Sequence, residues 1–268
     1  MSVDEAELDE RGRMTLFEHL AELRSRLIKS ILAIVAGAIV AWIFYPEILT
    51  FMTKPYCEVA HSAKQGLLSL AGAHGSCKLL ALDPLEGFGT RLKVSGYGGI
   101  ALAMPILLWE LWRFIAPGLY DRERKWAIPF IVSALALFAM GAALAYWTLP
   151  KAINWLVGVS GPDVVSLYAP GKYLTFVTYM MLAFGIGFEF PIVLIFLELL
   201  GIVKVETLIR FQRYAIVGIV LVVAIITPSG DPISLTVLSV PMVLFYELAI
   251  LFGLLYNRRK RRHEARST

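Results

Sequence analysis

The segment FEHLAELRSRL, residues 17–27, stands directly before the first long apolar run of the chain and has two unlike helical faces. Leu16, Phe17, Leu20, Leu23 and Leu27 recur at spacings of one, three and four, the pattern of an amphipathic helix with one apolar stripe. Glu18, His19, Glu22 and Arg26 fall on the other side. Thr15 and Glu18 have the spacing of a capping box, and Glu22 precedes Arg26 by four, the favourable order for a helix ion pair. Two readings stay open from this segment alone: an interfacial helix ahead of a membrane span, or a helix whose Glu22 is a ligand for something cationic.

The rest of the chain bears on the choice. Of its 268 residues 58% are hydrophobic and 17% charged, with a mean hydropathy of +0.69, which is too apolar for a soluble domain and indicates a polytopic membrane protein. The net charge of +4 comes from basic residues in short loops and a tail between apolar stretches, which is no nucleic-acid footprint. The opening MSVDEAELDERGR is polar and net acidic and lacks the apolar core of a cleavable leader, so the first span is expected to act as the targeting element.

Six apolar segments follow, at residues 28–45, 94–115, 126–149, 173–200, 214–227 and 233–255. They define an all-α, six-span domain over 28–255, preceded by an N-terminal part (1–27) with the amphipathic helix and followed by a basic tail (256–268). Pro105 should kink the second segment. The fifth, at 14 residues, would reach only about 21 Å and would require a thinned bilayer or a recessed helix. With both termini inside, 17 Lys and Arg lie on the inner segments against seven outside, Arg91 and Lys93 included, and the positive-inside rule puts both ends in the cytoplasm.

The longest loop, 46–86, is then external and holds the only two cysteines, Cys57 and Cys77. A bridge between them would close about 20 residues and contribute about 3 kcal/mol by restricting the unfolded loop. No internal repeat is evident, which weighs against an inverted-repeat transporter.

Catalytic patterns are absent from the sequence. His19, His61, His74 and His263 lie in separate polar segments away from metal-ligand spacings, and no nucleophile elbow, phosphate loop or HExxH occurs, so neither an enzyme nor a bound cofactor is expected. The carboxylates in apolar surroundings say more, since an ionisable group in a span is costly and faces a cavity, a partner or a polar path. Glu110 has Arg113 three residues on, Glu198 is close enough to a helix end to reach the interface, and Glu247 is ambiguous. Glu189, mid-span in GIGFEFPIV, has no basic residue within a turn, while Gly185, Gly187 and Pro191 loosen its backbone; it is either a protonated, hydrogen-bonded structural carboxyl or, the reading adopted, an intramembrane polar site on a concave, partly wet face. Glu123, in FIAPGLYDRERKW, falls on the same inner face as Glu22. Two carboxylates there suit two guanidinium groups, provided that they meet on one side and that neither is buried against a fixed internal arginine.

Four stretches together resemble the TatC family of twin-arginine translocase subunits: HLAELRSRL (19–27), FIAPGLYDRERK (114–125), FGIGFEFPIV (184–193) and TPSGDPISLTVLSVPM (227–242). The resemblance covers nearly the whole chain apart from the first dozen residues, the external loop and the tail. It implies a cup-like six-helix bundle in the inner membrane that binds twin-arginine signal peptides of folded proteins. Glu22 and Glu123 would contact the arginine pair, with Arg24 and Phe114 on the same surface. It also implies TatA-like and TatB-like single-span partners, homo-oligomerisation within a lipid-embedded complex, and energy from the proton gradient. Pro55 and Pro105 match the family's loop and helix prolines, Glu189 its membrane carboxylate, and Thr227, Pro228 and Asp231 its TP…D turn. Two departures stand out: the external loop is longer and carries the cysteines, and Leu235 replaces a frequent Gln, although Thr236 remains. The alternative from another class is a proton-coupled secondary transporter with Glu189 as relay.

Overall fold

A computed structural model of the chain describes residues 16–62, 83–115, 127–159, 169–199, 201–227 and 230–267. The described residues form helices α1 (Leu16–Ile43), α2 (Tyr45–Ser62), α3 (Glu86–Ile115), α4 (Ala127–Val159), α5 (Pro170–Gly187), α6 (Phe190–Leu199), α7 (Val205–Ile226) and α8 (Pro232–Ser267), with no strand among them. Six stretches are long and apolar enough to cross a membrane: Ala21–Ile43, Glu86–Arg113, Ile128–Val159, Pro170–Glu198, Val205–Ile226 and Pro232–Leu255. In hydrocarbon each backbone N–H and C=O must be satisfied within its own segment, which is why apolar runs of this length become helices.

Several boundaries differ from the sequence expectation. The amphipathic segment and the first span are one uninterrupted helix, α1, because nothing between Leu27 and Ile28 interrupts the hydrogen-bond ladder. The start of the expected external loop is helical as α2, which carries Pro55 inside it. The fifth span is not short: α7 has 22 residues, about 33 Å at 1.5 Å per residue. Its apolar run was read only from Tyr214, whereas Val205 and Leu208 are buried and extend the packed face a further two turns. The fourth span is broken at Phe188 and Glu189 into α5 and α6. Pro191 has no N–H for the carbonyl of Gly187 and its ring crowds that turn, so the ladder is interrupted there.

Helix α1 packs mainly against α3, antiparallel, with the rest of its surface outward. The contact works because it is lined by small residues. A Cβ placed on Gly99 would lie 2.6 Å from the Ala38 N and 2.7 Å from the Ile34 O, and one on Gly37 would lie 2.7 Å from the Gly99 O. Lipid tails are as apolar as leucine, so helices gain by close van der Waals approach rather than by the hydrophobic effect. Gly141 of α4 likewise lies against the backbone of Phe184 and Gly185 in α5. The central core joins Leu149, Leu174, Val177, Met180, Phe184 and Leu238 from α4, α5 and α8.

The glycine contact sets the register of charges. Arg26 lies eleven residues before Gly37 and Glu110 eleven after Gly99, about 16 Å in each helix. The two meet there, with Arg26 Nη1 donating to Glu110 Oε2 at 3.1 Å, both side chains largely buried. At the other end of α1, Arg91 of α3 donates to the Trp42 carbonyl at 2.9 Å and lies 4.4 Å from the Trp42 ring centroid. That carbonyl is one of the four a helix leaves open at its C-terminus, so the arginine caps α1.

Two outcomes follow for thermal unfolding in detergent. Gly99→Leu should cost about 3 kcal/mol, the upper range for overpacking, because the obstruction is backbone. An unchanged midpoint would refute the close approach. Arg26→Ala strands the buried Glu110 carboxylate and should cost about 3 kcal/mol, with Arg26→Ala/Glu110→Leu recovering most of the loss. Equal midpoints for the single and double variants would rule out the buried pair.

Candidate functional site at the Glu22 end of the bundle

Helix α1 brings Glu22 one turn beyond Arg26, and the guanidinium lies between two carboxylates. Its Nε donates to Glu22 Oε1 at 3.1 Å and its Nη2 bonds the same oxygen, while Nη1 holds Glu110. The i,i+4 pair read from the sequence is present, but Arg26 has a second partner that local spacing does not reveal. Glu110 was expected to pair with Arg113. It turns instead into the α1–α3 contact and takes Arg26, while Arg113 is exposed. Glu22 therefore meets an internal arginine, the contact that the two-carboxylate reading required it to avoid if buried, but it is not fully buried there. The engagement is one-sided: among the described residues Glu22 Oε2 makes no hydrogen bond, and its side chain keeps 23% of its exposure. Two carboxylates around one guanidinium leave a formal charge of −1.

Arg24 is exposed on α1. The α1–α3 register that pairs 26 with 110 sets position 114 opposite position 22, since each lies four residues further along. The backbone of Phe114 is in the last turn of α3, its side chain outside the described part. Glu123 lies outside the described residues, as do Cys77 and Pro228. Thr15 of the expected capping pair also lies outside the described residues, and of Glu18 only the backbone is described.

The remaining candidates are spread through the bundle. Glu189 occupies the turn between α5 and α6, its N–H bonding the Ile186 carbonyl at 3.0 Å. Its Oε1 is buried without a hydrogen-bond partner among the described residues. Gly185 serves less to loosen the backbone than to admit a neighbour, since a Cβ there would lie 2.6 Å from the Phe138 ring. Glu198 does not reach an interface: both its oxygens are buried and unpartnered among the described residues. Glu247 accepts from Gln212 Nε2 at 2.5 Å, a bond between α7 and α8 that the sequence reading missed. Its signal was weak, a lone polar residue among the charges that open α7.

The turn residues are structural in their contacts. Thr227 is buried and its hydroxyl donates to the Val223 carbonyl at 2.7 Å, closing α7. Asp231, fully buried, accepts the Ser234 N–H at 2.6 Å through Oδ1, so it is the N-cap of α8 with Pro232 at the first helical position. Thr236 is exposed and bonds the Pro232 carbonyl, and Leu235 beside it is partly buried against the core. Pro55 is fully buried in α2, whereas Pro105 is exposed in α3, which continues through it. Cys57 is disulfide-bonded. Among the described residues no group of His, Cys, Asp and Glu is arranged to hold a metal ion.

Comparison with known proteins gives this geometry a context. The profile described as "Sec-independent protein translocase protein (TatC)" matches residues 18–241. The chain is 38% identical over 250 residues to the Sec-independent protein translocase protein TatC of Frankia casuarinae, covering 93% of this chain and 68% of that one. It is also 38% identical over 253 residues to that of Koribacter versatilis, covering 93% and 89%. Its fold superposes on the crystal structure of the twin arginine translocase receptor TatC in DDM with a TM-score of 0.71 and 33% identity, over 88% of this chain and 99% of that one. Family profile, relatives and fold agree, and the chain belongs to the TatC family of Sec-independent protein translocase subunits.

Proposed function

We propose that this multi-pass subunit of the twin-arginine translocase takes the arginine pair of a signal peptide on Glu22 and Glu123. Folded export substrates are thereby recruited, and the bound receptor nucleates the translocation complex. The observation that carries the reading is the partly exposed Glu22, with Oε2 open above a largely buried cluster of charge −1. An incoming guanidinium gains a charge-assisted hydrogen bond at Oε2. If it takes both oxygens, Arg26 still keeps Glu110 and is not stranded. Partial burial preserves this attraction against screening, which would otherwise weaken it beyond about 8 Å at physiological salt.

The excess of basic residues on the Glu22 side supports an inner-membrane orientation with both termini in the cytoplasm. Single-span TatA-like and TatB-like proteins and further copies of the subunit complete the assembly, and the proton gradient drives transport. Glu189, at a helix break with an unsatisfied oxygen, is the polar point within the span that a partner or passenger would meet. A bridge between Cys57 and Cys77, the only two cysteines of the sequence, is part of this reading, and the disulfide-bonded Cys57 supports it.

A photocrosslinker beside the arginine pair of a synthetic signal peptide tests the site on the purified, folded subunit. Glu22→Ala and Glu123→Ala should each weaken crosslinking by about tenfold, the equivalent of about 1.4 kcal/mol, and the double variant should abolish it. Full crosslinking by a double variant with an unchanged melting midpoint would eliminate the proposed clasp.

A further inference from the structure

At the end of the bundle opposite Glu22, a cavity of about 690 Å³ lies where α3 and α5 begin and α7 ends. Its polar lining is Glu86, Thr90, Lys93, Lys172 and Thr175. Thr90 is only 3% exposed, yet its hydroxyl has no hydrogen-bond partner among the described residues, and the buried Thr175 hydroxyl has none either. A helical threonine ordinarily returns its hydroxyl to the carbonyl four residues back, as Thr178 does to Leu174 at 2.6 Å. Two buried hydroxyls left over in one cavity therefore call for an outside partner, because an unmade buried hydrogen bond is costly.

The charges indicate its sign. Lys93 and Lys172 are exposed and neither makes an ion pair among the described residues. Glu86 is turned to α5, its Oε1 accepting the Gly171 N–H at 3.0 Å. The three formal charges sum to +1, and the N-termini of two helices add positive potential. The remaining walls, from Phe176, Tyr179, Ile225 and Ile226, are apolar or aromatic. Ile225 and Tyr179 are exposed on the surface of spanning helices, so the cavity opens toward the hydrocarbon.

We propose that this cavity binds the headgroup of a singly charged anionic phospholipid. The phosphodiester sits against Lys93, Lys172 and the Thr90 and Thr175 hydroxyls, and an acyl chain runs along Phe176 and Ile225. A lone phosphate would leave the apolar wall empty. A net-neutral headgroup would leave the +1 charge uncompensated. The site is independent of how the Glu22 end binds its ligand.

The purified full chain in detergent, given equal amounts of phosphatidylglycerol and phosphatidylcholine, tests the assignment by native mass spectrometry of retained lipid. The wild type should retain phosphatidylglycerol preferentially. Each lysine is worth about fivefold against an anionic lipid, so Lys93→Gln/Lys172→Gln should lose about 25-fold of that preference. Thr90→Val, which keeps the shape and removes the hydroxyl, should weaken retention with the lysines intact. A control, Lys54→Gln/Lys151→Gln, removes two other lysines and should change nothing. Equal retention of the two lipids, a loss in the control as large as in the lysine pair, or clearance of bound lipid by millimolar inorganic phosphate would each overturn the proposal.

Discussion

The approach of Gly37 and Gly99, close enough that neither position has room for a Cβ, is the constraint on which the Glu22 end depends. Helix α1 is otherwise turned largely outward, so among the described residues its depth and rotation are set mainly by α3. Shifting that contact by one residue would rotate Arg26 by about 100° away from Glu110 and leave the buried Glu110 carboxylate without a partner in apolar surroundings. The glycines and the ion pair thus enforce the same register from points about 16 Å apart. Arg91 on the Trp42 carbonyl closes the far end. A side chain presented from one helix keeps its place only if that helix is itself held, and here two glycines and two arginines hold it.

Polar atoms elsewhere in the spans divide into satisfied and unsatisfied ones. Thr148, Thr178 and Thr227 return their hydroxyls to the preceding turn, Tyr173 and Tyr246 reach carbonyls of Met52 and Leu208, and Gln212 meets Glu247. These bonds tie α2 to α5 and α7 to α8 without leaving polar groups facing hydrocarbon. Against that background the two unpartnered carboxyl groups are informative. Glu189 combines a broken helix with an unpaired buried oxygen, and Glu198 has two such oxygens where Gly253 leaves it room. Burial without partners is expensive enough that such groups persist where a second molecule or a proton compensates them.

The sequence carried the six spans and the Glu22–Arg26 pair because each is a local pattern: a run of apolar residues, an i,i+4 spacing. Near Pro191 it showed only a loosened backbone within one span, where the structure has two helices. It misjudged the fifth helix because hydropathy tracks the apolar run, whereas the helix continues through VETLIRFQR on buried Val205 and Leu208. It assigned Glu110 to Arg113 because a single sequence shows neighbours along the chain. The true partner is 84 positions away and is chosen by the antiparallel register of α1 on α3. Asp231 was legible as part of a motif but not as an N-cap, since capping shows only once the Ser234 N–H is placed against its carboxylate.

The charge pattern along α3 joins these observations. One end carries Glu110, held in a cluster with a surplus carboxylate; the other carries Lys93, in a lining with a surplus ammonium. In water such surpluses would be neutralised by counterions at little cost. At the Glu110 end the surplus is partly withdrawn from water, so the missing charge is more strongly demanded there, and at each end its sign is specified. A cationic ligand at the Glu22 end and an anionic one at the Lys93 end would each complete a charge balance that the bundle leaves open, with the same helix supporting both.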